Sequence, residues 1–288
     1  PPAGPDRVPF YRDVAILGMT RWMFRKVILH FHATGMSLLY PRLNIIERFL
    51  FRWAYFDPDV GIRISPLSPD DARFVRARRE VIVPNGIPDA ANGLDLSRRE
   101  NPGRILFVGM LCESKGVLVA IEAMALLAER GYACELTFIG EWQSADFRRQ
   151  ATDLAAKRGI GRLIRFAGVK QGREKDESFL RADIFCFPTH FDSESFGLVL
   201  VEAMQFALPV VSTNWRGIPS VVDDGKTGFL VPVKDAGLLA ERLEYLVANG
   251  AVARGMGEAG RRKYLQEYTL DHFHRAMDAV FESVGGKT

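Results

Sequence analysis

From Arg104 onward, short runs that are almost wholly apolar alternate with longer segments of helical period. RILFVGM, CELTFIG, RLIRFAG and DIFCFPT are the short runs, and VLVAIEAMALLAERG, ADFRRQATDLAAKRG and DESFLRA lie between them. A strand without polar alternation must be covered on both faces, and helices that return the chain between such strands make them parallel. The pattern therefore predicts a doubly wound α/β sheet. In that architecture ligands sit outside the carboxyl ends of the strands, where Gly109, Gly140, Gly168 and Pro188 all fall. Four of the following loops are expected to converge on one crevice.

The preceding part is less regular. Residues 1–9 have the composition of a tail, Phe10 to Phe24 has helical spacing, and RKVILHFHA reads as a buried strand ending at His30 and His32. LNIIERFLFRWAYF is an amphipathic helix with Arg42, Arg48 and Arg52 on or near its polar side. A packed helix with a solvated face is the favoured reading, and a basic-aromatic membrane face the sharper one. GIRISPLS and EVIVPNG read as further strands around a helix opening at Ser68-Pro69-Asp70-Asp71. The turn-rich PNGIPDAANGLDLSRRENPG is the best boundary. It divides the chain into a first domain (1–88), a linker (89–103), a second domain (104–268) and a C-terminal helix (269–288) expected to pack back toward the first.

With 288 residues the chain has room for two ordinary domains. A net charge of +3 is too small to argue for a nucleic-acid partner. Cys112, Cys134 and Cys186 are scattered and odd in number, which fits reduced thiols and a cytoplasmic setting. No apolar run reaches the length of a membrane span, and no signal peptide is visible.

The stretch Ala182 to Val231 concentrates the chemistry. Glu194 lies in the polar loop HFDSES, and Glu202 is the only charge in the apolar helical run that follows; seven residues separate them. A carboxylate inside a buried helix is costly without partners. Gly197, next to Phe196, lets the backbone approach a ligand at the helix start, which also favours an anion. Lys115, in MLCESKG at another helix start, is explained equally well by an anion or by solvent. Neither a Walker loop nor a G-x-G-x-x-G follows any strand, which counts against P-loop and nicotinamide or flavin chemistry. Asp57-Pro-Asp59 reads as a turn before it reads as a metal motif. His190 reads as a loop polar residue, and His272 and His274 do not share a helix face. His32, at the end of a strand, is a candidate functional histidine, although a structural role explains it slightly better.

FVGMLCESKG, FPTHFDSESFGLVLVEAM with its E-x7-E spacing, ALPVVSTNWRGIP and DDGKTGFLVP together resemble the retaining glycosyltransferases of family 4, and PNGIPD resembles their interdomain linker. The likeness is dense from Arg104 to about Tyr268 and weaker from Phe10 to Pro88. It implies a GT-B fold, two Rossmann-like domains with the nucleotide-sugar donor held mainly by the second, and no metal or other cofactor. On this resemblance Lys115 holds the donor diphosphate and Glu194 stands by the transferred sugar. The turn Phe196-Gly197-Leu198 turns its amides to sugar and phosphate, and Glu202 holds the ribose hydroxyls. Val169 contacts the base, the loops at Gly109 and Gly140 complete the donor site, and His32 faces the sugar from the first domain.

Three departures qualify the likeness. Met110 replaces an arginine of the phosphate loop, so one diphosphate contact is either missing or supplied by Arg216, itself replacing a glycine. Ser220 stands where glutamate is frequent. The first domain is short or incomplete, with no glycine-rich loop before the His32 strand. The resulting expectation is a hexosyltransferase using a UDP- or GDP-sugar and a glycan, lipid-linked or small acceptor, cytoplasmic and at the inner membrane face through peripheral contact. The alternatives are a non-catalytic nucleotide-sugar-binding protein and another GT-B enzyme, a phosphorylase or epimerase.

Overall fold

The computed structural model describes residues 6–32, 35–67, 70–97 and 103–285. The chain divides into two units: Pro1–Gly86 with Leu270–Thr288, and Ile87–Thr269.

The first unit opens with helix α1 (Arg7–Thr20), which begins three residues before the helical spacing suggested. Pro9 had marked this stretch as tail. In the first turn of a helix, however, the backbone N–H groups have no intrahelical partner, so a proline removes nothing there. Strand β1 (Ile28–Phe31), helices α2 (Met36–Leu39) and α3 (Ile45–Tyr55), strand β2 (Val60–Arg63), helix α4 (Asp71–Phe74) and strand β3 (Glu80–Ile82) follow. The strands form a parallel sheet in the order β1-β2-β3, with Ile28 opposite Val60 and Gly61 opposite Glu80. Ser68 and Pro69, expected to open α4, lie outside the described residues; Asp70 caps that helix by accepting from Arg73 N. Asp57 and Asp59 are occupied by Arg76 and by Lys26 and Arg78, an ordinary use of a turn.

Successive strand residues point to opposite faces, and the two faces of this sheet are covered differently. Leu29 and Phe31 meet Phe10, Leu39, Phe51 and Tyr55 on one side. Ile28, Val60 and Ile62 meet Phe273, Met277 and Val280 of the C-terminal helix (Leu270–Gly285) on the other. Helix α3 is held at its start by a capping box: Asn44 accepts from Glu47 N, and Glu47 accepts from Asn44 N. Its exposed side is not simply polar. Ile45, Ile46, Phe49 and Trp53 are all exposed, and at 100° per residue they occupy one arc, with Arg48 and Arg52 beside it.

The second unit contains β4 (Arg104–Val108), α5 (Val117–Glu129), β5 (Glu135–Ile139), α6 (Ala145–Lys157), β6 (Ile164–Phe166), α7 (Gly172–Arg181) and β7 (Ile184–Phe187). It continues through α8 (Leu198–Gln205), β8 (Val210–Thr213), α9 (Ile218–Val221), β9 (Gly228–Val231), α10 (Ala236–Ala248) and α11 (Gly250–Glu267). All six strands are parallel, in the order β6-β5-β4-β7-β8-β9. Winding runs outward from β4 in one direction and from β7 in the other, so the β4–β7 boundary is the topological switch point. Helix α7 starts four residues earlier than DESFLRA indicated. The connector after Gly86 begins within this unit: Ile87 N donates to Tyr268 O at 2.9 Å, and Asp89 takes both Arg261 guanidinium nitrogens at 2.7 Å. Residues 98–102 of the linker stretch lie outside the described residues.

Asp183 ties the switch point together from behind. Its side chain is buried and accepts from Gly103 N, Arg104 N and the Arg104 guanidinium at 2.6–3.1 Å. Burial alone would raise its pKa, but the Arg104 guanidinium and the two backbone donors outweigh it and hold the carboxyl below its ordinary value. Asp183→Asn is expected to cost about 3 kcal/mol, because an arginine and two backbone donors lose a charged acceptor. Denaturant unfolding measures it, and a change within about 0.5 kcal/mol would contradict this account.

Candidate functional site

The loops after β4 and β7 face each other at the switch point. Gly109 follows β4, donates to Ile139 O at 2.9 Å and places its own carbonyl against Gly140. A Cβ on Gly140 would lie 1.8 Å from Gly109 O, so only glycine lets these two strand-end loops touch. The chain then makes a short turn at Glu113–Lys115 and enters α5.

Lys115 donates from Nζ to Glu194 Oε2 at 2.6 Å, and Thr189 Oγ1 donates to the same oxygen at 3.2 Å. The ammonium stands 4.4 Å from the Phe191 ring centroid and 5.4 Å from that of Phe187. Both partners are largely sheltered, the lysine side chain 17% and the glutamate 11% exposed. Glu194 is fixed through its backbone too, donating to Phe191 O and accepting from Gly217 N. Gly197 then takes φ +78 and starts α8, whose first turn has no side-chain cap among the described residues. The Phe196 ring is buried edge-on against Tyr268, 5.7 Å between centroids, which anchors this turn. Leu200 N already donates to Gly197 O at 2.8 Å, and the uncapped start of this helix ahead of it favours an anion.

Glu202 is not the deeply buried carboxylate that the apolar run implied. Its side chain is 20% exposed and accepts from Lys175 Nζ, on α7, at 2.7 Å. The helix is buried through Leu200, Val201, Ala203 and Met204, while Glu202 lies at its open edge. A cavity of about 340 Å³ gathers Gly109, Lys115, Glu194, Gly197, Leu198 and Glu202, with Met110 at its exposed rim. Among the described residues, Gly140, Val169, Phe196 and Arg216 do not line it. Val169 is 57% exposed. Arg216 turns toward Asp192, 3.8 Å away, and lies over Trp215. A second cavity, of about 260 Å³, lies against Arg104 and Glu135 where β4 and β5 begin, far from the strand ends. The sequence did not indicate Lys175, which lies in no motif and makes its contact across two helices, and Thr189, although inside the FPTHFDSES run, carried no sign that its hydroxyl would meet Glu194.

The description "glycosyl transferases group 1" belongs to the family model that matches residues 95–263, more than half of the chain. The chain belongs to this family. A phosphatidyl-myo-inositol mannosyltransferase from Mycolicibacterium smegmatis is 32% identical over 212 residues, 72% of this chain and 52% of that protein. The putative colanic acid biosynthesis glycosyltransferase WcaL of Salmonella typhimurium is 30% identical over 216 residues, 70% and 52% respectively. This group 1 chain thus spans about half the length of those curated relatives. Among solved structures, Anabaena HepE in complex with UDP superposes with a TM-score of 0.78, at 17% identity, over 96% of this chain and 76% of that one. The fold is GT-B class, with the second unit as a Rossmann-like domain and the first as a short or incomplete counterpart.

His32, the candidate of the first unit, is exposed after β1 and hydrogen-bonded to Asn85. Its ring lies 4.0 Å from that of His30, which in turn stacks on Phe273. Burial chiefly, and then the neighbouring His32, push His30 down from 6.5 to about 4, and its Nε2 has no hydrogen-bond partner among the described residues. The folded chain therefore takes this proton at lower pH than the unfolded chain. Stability of the first unit should be whole above pH 6.5 and decline as pH falls toward 4. Hydrogen exchange of the β1 and β2 amides at pH 7 and pH 5 tests this, and His30→Leu should flatten the difference; an unchanged difference would assign it elsewhere.

Proposed function

We propose that this chain is the donor-binding part of a retaining glycosyltransferase of family 4, which transfers a hexose from a UDP- or GDP-sugar to a glycan, lipid-linked or small acceptor. The observation that carries this reading is the convergence of Lys115, Glu194, Glu202 and an uncapped helix start on one cavity at the switch point. Family membership and relatives named as glycosyltransferases support it.

In this reading the lysine–glutamate pair is the resting arrangement. A diphosphate carries more charge than one carboxylate and competes for Lys115, releasing Glu194 toward the sugar. As the bond from the anomeric carbon to the diphosphate breaks, charge grows on the departing oxygen. Lys115 and the amides of Phe196, Gly197 and Leu198 stabilise that charge without a metal. The anomeric carbon becomes cationic, and the freed Glu194 carboxylate lowers the cost of that charge. An acceptor hydroxyl attacking from the leaving-group side gives retention, and its proton passes to the departing diphosphate oxygen. Glu202 accepts from the ribose hydroxyls, and Val169 meets the base at the rim. Gly109 admits the diphosphate to the backbone while Gly140 lets its own loop close against Gly109, Arg216 swings from Asp192 to a phosphate oxygen, and His32 of the first unit is the further catalytic candidate.

The setting we propose is the cytoplasm, with peripheral contact at the inner membrane face. Free Cys112, Cys134 and Cys186 and the exposed α3 arc of Ile45, Ile46, Phe49 and Trp53 beside arginines support it. No helix of the described residues is long and apolar enough to cross a membrane.

Calorimetry and turnover with a panel of nucleotide sugars test the proposal. Lys115→Ala should weaken UDP or GDP by about tenfold or more, since a charge-assisted contact is lost. Glu194→Ala should lower kcat by about a hundredfold with little change in nucleotide affinity. Binding without turnover would favour a nucleotide-sugar-binding role, and neither binding nor turnover would end the donor reading.

A further inference from the structure

The orientation of Glu202 depends on a residue outside the cavity that it lines. Lys175 donates to Glu202 Oε1 at 2.7 Å from α7, and the two side chains are 27% and 20% exposed. This is not a helix-surface pair formed by proximity in sequence: the partners are 27 positions apart. No acidic residue lies three or four positions from Lys175, and no basic residue lies at that distance from Glu202. The nearest carboxylates on α7, Glu174, Asp176 and Glu177, project from other faces, and Glu177 is shared by Arg173 and Arg181. Lys175 therefore spans the gap between α7 and α8 to reach one carboxylate, Glu202.

We infer that Lys175 is a positioning residue for the ribose of the donor, acting through Glu202. The inference rests on the donor reading above. A glutamate side chain at an open helix edge samples several rotamers, and immobilising it on ligand binding costs free energy. Lys175 takes one carboxylate oxygen and thereby fixes the side chain before a ligand arrives. Oε2 is left to accept from the vicinal ribose hydroxyls as a charged acceptor, the stronger kind. A purely structural tie between α7 and α8 makes a different prediction, because it would influence every nucleotide alike.

Calorimetry of the chain, Lys175→Gln and Lys175→Arg, with UDP, GDP and the 2′,3′-dideoxy form of each, separates these roles. Lys175→Gln is expected to weaken the diphosphate that binds the unmodified chain by about tenfold. Its dideoxy form should change by no more than about twofold, because the contact being weakened is absent from it. Lys175→Arg should retain the ribose preference. Lys175→Met offers the same comparison if Lys175→Gln does not fold, and because the two ligands are compared on one folded protein, lost stability cannot imitate the result. Equal losses for the ribose and dideoxy forms, or no loss for either, would overturn the positioning role and leave the donor reading standing. Failure of the unmodified chain to bind any of the four would overturn both.

Discussion

The reversal of winding between β4 and β7 parts the loops that leave two adjacent strands, and the polar site of the second unit depends on that parting. Ile105 and Ile184 pair side by side, yet the chain leaves β4 toward α5 and leaves β7 toward α8. Lys115 and Glu194, 79 residues apart, meet in the space that opens. Each of the two glutamates there has a lysine from a different element, Lys115 lining the cavity and Lys175 outside it, so each carboxylate is balanced. That balance allows carboxylates to stay sheltered from water without a ligand present.

Much of this was legible in the sequence, because the relevant signals are local. Near-continuous apolar runs between helical segments specify parallel strands, and glycines at their ends mark the loops. The spacing of Glu194 and Glu202 around an apolar helix start pointed to one site. Strand order was not legible, since nothing local distinguishes a strand added beside β4 from one added beside β6. The shelter of Glu202 was overestimated for a related reason: the run around it is apolar on all sides, but which edge stays open is decided by how α7 lies. Lys175 was invisible because its contact belongs to the packing of two helices and to no motif. The early start of α1 was hidden by Pro9, which reads as a breaker unless it falls within a first turn.

The first unit shows how two requirements can share one helix. The buried side of α3 brings Phe51, Ala54 and Tyr55 to the core, and its exposed side carries a second apolar arc beside two arginines. A hydrophobic period is therefore only half of the information in such a helix. The other half is which of its apolar residues the neighbouring elements reach, and α1, through Phe10, reaches only the first set.

The C-terminal helix has a consequence for the order in which this protein can be made. One face of the β1-β2-β3 sheet is closed by Phe273, Met277 and Val280, which are synthesised only after the whole of Ile87–Thr269. During translation the second unit can complete itself while the first still has a bare apolar face with Ile28, Val60 and Ile62 exposed. The second unit is thus able to fold vectorially, and the first must wait for the last segment of its own sheet cover. That interval is when the nascent chain is most open to aggregation or to a chaperone, and a stop codon that removes residues after Thr269 would make it permanent.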